Sequence, residues 1–183
     1  MQSEKLIQLL TAQTQEIISK VEQLKPLDTP SLIWREHPTS WSILECLEHL
    51  NLYGDFYLAE IERKIRNSHT KSDNEFQSGF LGNYFANSML PKGKLNKMKT
   101  FKDKNPLNTA LDRSVIDRFL EQQALLLELL VLSKNVSLNK VKTNISITKL
   151  IKLKLGDTFR FYINHMLRHM NQIDNLLRAQ IKL

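Results

Sequence analysis

In the run INHMLRHMNQIDNLL, His165 and His169 stand four residues apart with no loop-forming residue between them. On a helix that spacing sets two imidazoles along one face, where both reach a single metal ion. At about 100° per residue with Tyr162 as zero, His169 falls near −20° and His165 near −60°. Both therefore share the core-facing stripe that Met166, Met170, Ile173 and Leu177 define. The pair alone is ambiguous, because a buried histidine also serves by hydrogen-bonding a carbonyl. Met166, Leu167 and Arg168 fill the gap between the two, so the H-E-x-x-H pattern of zinc proteases is absent. A shared ion needs a third ligand from another helix, and the chain has five histidines in all. His37 adjoins Pro38 in a proline-rich stretch and His69 sits in a polar helix end, so both are expected to be exposed. His49, in LEHLNLYGDF, lies beside Tyr53 on the margin of its helix's apolar stripe and is the better candidate.

Several neighbours bear on that chemistry. A ligating histidine needs its other ring nitrogen held by an acceptor; Gln172, one turn past His169, and Asn164 are candidates. Glu45, one turn before His49, can orient it or act as a base, but it also completes a capping box with Ser42, and the capping reading is preferred. Tyr53 can present its hydroxyl to an ion, against the commoner fate of plain packing. Arg168 can attract an anionic group, against the commoner fate of a surface ion pair. Cys46, near a helix start, reads as a small buried hydrophobe. The catalytic candidates are thus Glu45, Tyr53 and Arg168.

These residues need helices to hold them. Gly and Pro number only five each in 183 residues, and the stretches between them are rich in Leu, Ile, Lys and Glu. A first helix is expected from Ser3 to Leu24, ending before Pro26. A second opens at the cap Ser42, with Trp41 packed over its first turn, and frays near Asn67. Residues 68–106 show no sustained period and form a long crossover with a short helical turn around 83–89. A third helix spans Leu107 to Leu132 with Asn105 or Asn108 as cap. Residues 133–154 alternate as a hairpin or extended rim, and a last helix runs from a cap at Asp157 to Ala179. The expected fold is all-α: one domain over residues 1–183, a four-helix bundle with long crossover connections, a type that builds metal sites between facing helices.

Composition excludes several classes. Hydrophobic residues make up 42% and charged ones 25%, ordinary for a globular domain. The single cysteine forms no internal disulfide and fits a reducing compartment. The opening MQSEKLIQLL lacks a signal peptide's apolar core, and LLLELLVL is too short to span a bilayer. A soluble cytoplasmic protein with no membrane association is expected. The net charge of +7 comes mainly from two connections: 91–104 carries six lysines and one aspartate, and 139–155 carries five lysines and no acid. Neither has arginine or the interleaved aromatics that single-strand binders stack on, so both are read as solvated loops rather than a nucleic-acid surface.

Two motifs and one connecting segment resemble a known family. WSILECLEHL (41–50) resembles the W-S-x-x-E-x-x-x-H-L opening of the second helix in the DinB-like superfamily, which includes the YfiT-like proteins. HMLRHMNQI (165–173) resembles that family's H-x-x-R-H-x-x-Q-I closing helix, and KMKTFKDKNP resembles its segment before the third helix. The resemblance implies a bundle holding one divalent ion on His49, His165 and His169, and often a homodimer. It also implies a small-molecule substrate, with either hydrolysis or transfer of a low-molecular-weight thiol as the reaction. Three imidazoles leave an ion with an open position, and zinc, nickel, manganese and iron all accept such ligands. The competing expectation is a non-catalytic bundle, with a structural ion or none, serving in stress response or interaction.

Overall fold

The computed structural model of the protein describes residues 1–90 and 100–181. Lys92, Lys94, Lys97 and Lys99 of the lysine-rich connection, and with them most of 91–104, lie outside the described residues. The elements are α1 (Ser3–Glu22), α2 (Thr29–Ile33), α3 (Ile43–Arg66), α4 (Phe80–Ser88), α5 (Ser114–Leu132), β1 (Lys142–Ile145), β2 (Thr148–Lys154) and α6 (Leu155–Gln180). The fold is all-α apart from one small hairpin, as expected.

The four long helices form a ring in which α3 packs against α5 and α6, and α1 against the same two. Contacts between side chains give their directions. Arg113, at the start of α5, donates to the carbonyls of Lys25 and Leu27 just past α1, so α1 and α5 are antiparallel. Arg118 reaches Glu48 and Asp55, and Gln122 reaches the Asn51 carbonyl and Asp55, so α3 and α5 run the same way. Lys20 pairs with Asp174 at 3.0 Å near the C-terminal ends of α1 and α6, which also run together. The result is an up-down-down-up bundle whose first and last connections cross between diagonal helices. Its interior is apolar: Ile17 and Val21 of α1, Leu47 and Leu50 of α3, Phe119 and Leu126 of α5, and Met166 of α6 are all fully enclosed.

Local chemistry explains the elements and the departures from expectation. Ser42 and Glu45 form both halves of the capping box that opens α3. The five-residue α2 was not expected; the Asp28 carboxylate caps it by accepting from Ser31 N at 2.9 Å, and Pro30 sits in its first turn. The third long helix starts at Ser114 rather than Leu107. Asn108 takes a φ of 65°, which no helix interior accommodates, and the Asp112 carboxylate holds Ser114 N at 2.8 Å. The last helix starts at Leu155, two residues before the expected cap. Asp157 instead accepts from Ser78 Oγ and, at 2.8 Å, from Gly79 N, which pins the start of α4 to α6. Within the rim 133–154, residues 142–154 form a hairpin with Lys142 opposite Lys154 and an irregularity between Asn144 and Ile145. No described helix is long and apolar enough to cross a membrane.

Candidate metal centre

The antiparallel pair α3 and α6 brings the three histidines together. His49 faces α6 from the second turn of α3, while His165 and His169 answer from successive turns of α6. His165 Nε2 lies 3.2 Å from His49 Nε2 and 3.1 Å from His169 Nε2. One ligand nitrogen from each ring lies within 4.8 Å of the other two. Nitrogens bound at ~2.1 Å to one ion stand roughly 3–3.5 Å apart, so the two short separations match a shared ion. All three rings are buried, at 3%, 6% and 7% exposure in chain order.

The outward nitrogens show which tautomers are in place. His49 Nδ1–H donates to the Lys104 carbonyl at 2.6 Å, and His169 Nδ1–H donates to Gln172 Oε1 at 3.1 Å. Each bond leaves an Nε2 lone pair directed at the common point. Gln172 thus has the place expected of it. His165 Nδ1 is enclosed and has no hydrogen-bond partner among the described residues. Burial pushes the His49 imidazolium down to about 4, with the Lys104 charge adding to the effect and the carbonyl bond opposing it. Burial, then the neighbouring imidazoles, hold His165 well below the ordinary range, and burial does the same for His169. The three rings are neutral near pH 7, the form that ligates a metal. Donor type, spacing and tautomer fit a divalent ion.

A cleft of about 740 Å³ opens from the cluster. Trp41 covers one side: its ring stacks at 27° on His169, centroids 5.8 Å apart, lies 4.6 Å from His49, and its Nε1–H donates to Asn105 Oδ1. Tyr53 meets His49 and His165 edge-on at 4.9 and 4.8 Å. Its hydroxyl bonds to no described residue and is not among the sealed polar atoms, so it opens on the cleft. Burial pushes that phenol up to about 12, which keeps it a donor. Arg168 lines the same cleft at 9% exposure, and burial lowers its pKa.

Other candidates fall elsewhere. Glu45 is 1% exposed, and its carboxylate accepts from Arg35 at 2.6 and 2.8 Å, from Ser42 N at 2.9 Å and from Asn108 N at 2.8 Å. It buttresses the loops beside the site and does not line the cleft. Asn164 donates to the Ala86 carbonyl at 2.9 Å and holds α4. His37 is exposed at the cleft mouth, and His69 is exposed away from it. Cys46 is fully buried, as expected. The sequence reading missed the Lys104 carbonyl, because a main-chain acceptor 55 residues from its histidine leaves no side-chain signature. It also missed the apolar lining residues Met89, Phe101, Ile147 and Phe161, which sit on four separate segments.

A family model described as the DinB superfamily matches residues 5–173, a span that includes all three histidines. No curated protein and no solved structure matches significantly.

Proposed function

This chain belongs to the DinB superfamily, and on that premise we propose that it is a metal-dependent hydrolase or thiol transferase acting on a small molecule. The supporting observation is the convergence of three imidazoles from two helices at the head of an open cleft. When bound, a divalent ion such as zinc, nickel, manganese or iron lowers the pKa of water to ~7 or holds a thiol as thiolate. His49, His165 and His169 hold the ion. Trp41 and Tyr53 exclude water from two sides of the cluster. The Tyr53 hydroxyl donates to the reacting oxygen or sulfur, which it can do because its proton is retained near pH 7. Arg168 supplies positive charge to the cleft wall. A homodimer, one domain over the whole chain and a cytoplasmic location belong to the same proposal.

The test is elemental analysis of tag-free protein. One ion per chain is expected, falling to the background of a blank protein when His49, His165 and His169 are all replaced by Ala. Equal metal in the two would remove the proposal. The non-catalytic alternative predicts a tightly held ion whose spectrum, after cobalt substitution, ignores added thiol or azide.

A further inference from the structure

The cleft differs in character on the two sides of the three histidines. Toward the C-terminal end of α6 it carries Gln172 and Asn175 alongside Leu176, and the loops contribute His37, Thr39, Ser40, Asn105 and Leu107 to its lining. Toward the N-terminal end the wall is built from apolar side chains. Phe161, one turn before His165, stacks beside that imidazole at 6.2 Å and 23°. It also meets the Tyr57 ring at 5.7 Å, and the Tyr57 hydroxyl bonds to Ser146, the residue before Ile147, which lines the cleft. Met89 follows α4, whose Ala86 carbonyl is tied to Asn164, the residue beside His165. Phe101 also lines the cleft.

Two of these side chains are out of place as packing. Ile147 sits at the turn of the hairpin, a position that favours Gly, Asn or Asp, and is 49% exposed. Phe101 is 47% exposed. Isolated exposed apolar groups are ordinary, but two of them lining one cleft that holds the three histidines form a surface for a ligand.

We infer that the substrate is bipartite, with an aromatic or branched alkyl group lodged against Phe161, Ile147 and Phe101 while its polar part and reacting atom lie at the histidines. This deepens the proposed function and rests on it. The probes are benzyl mercaptan and 2-mercaptoethanol, which share a primary thiol and differ in the body attached to it. Each is titrated onto cobalt-loaded protein and followed by thiolate-to-cobalt absorbance. Benzyl mercaptan is expected to bind about tenfold more tightly, the effect of burying roughly half a phenyl group. Ile147→Ser and, separately, Phe101→Ser should each bring the two thiols within about threefold while leaving 2-mercaptoethanol unchanged. Both positions are half exposed, so these variants keep the fold. Equal affinities in the parent protein, or variants that weaken both thiols alike, would overturn the inference while leaving the metal proposal intact. Absence of cobalt bands before any thiol is added would remove both.

Discussion

A histidine becomes a good ligand when its second nitrogen is committed elsewhere, and here the three rings differ. His49 and His169 are oriented by an acceptor on Nδ1, one a main-chain carbonyl and the other an amide side chain. His165 has no such partner, so its enclosed Nδ1 costs about 1–3 kcal/mol in either tautomer. Its orientation comes from packing against Tyr53 and Phe161 instead. Metal affinity should therefore depend on Gln172 more than its distance from the ion suggests. Gln172→Leu removes the acceptor, keeps the bulk and should weaken zinc binding about 10–100-fold. Competition against a chromogenic chelator measures this, with Asn175→Leu as a control that lines the same cleft but touches no histidine. Equal losses in the two variants would mean that cleft polarity, rather than ring orientation, sets the affinity.

At the scale of elements, Glu45 ties together the Arg35 loop, the start of α3 and the turn at Asn108 that follows the Lys104 carbonyl. Burial alone would raise its pKa. The Arg35 guanidinium and the Ser42 and Asn108 amides outweigh burial and hold it below the ordinary value of 4.5. A carboxylate depressed on folding adds stability that is complete above about pH 4.5 and disappears as pH falls through the folded-state pKa. Glu45→Gln should accordingly cost about 2 kcal/mol near pH 7, and the gap between parent and variant should narrow below pH 4.5. Urea denaturation across pH 3–7 measures this; a gap that does not change with pH would refute the assigned network. The same residue shows what the sequence made legible. The Ser42–Glu45 box is local and was readable, whereas the Arg35 and Asn108 contacts need the tertiary fold. Helix existence was readable for the same reason, because apolar periodicity is local. Two helix starts were not, since each depends on a distant partner. Asn108 turns out of helical geometry where its amide meets Glu45. Gly156 reads as a boundary before a cap, yet it lies inside α6, where Phe76 occupies the space a Cβ would need.

At the scale of the whole molecule, the up-down-down-up order places the two ligand-bearing helices side by side although all of residues 67–154 lies between them in the chain. His49 and His165 are 116 positions apart, so an ion held between them closes a long loop across the bundle. The two histidine-bearing motifs were legible as separate marks; their convergence depends on diagonal crossovers that no local pattern encodes. An ion bound only by the folded state must raise stability by mass action, by about 4 kcal/mol at a thousand times its Kd. For a chain of this size that corresponds to a rise of about 8–16 °C in Tm. Metal-stripped protein should therefore melt lower than the loaded form by this amount, and a His165→Ala variant should show little of the rise. Differential scanning calorimetry with buffered zinc distinguishes this from surface binding. Exposed His37 and His69 remain in the variant, and a shift that survives in it would place the stabilising ion there instead of between α3 and α6.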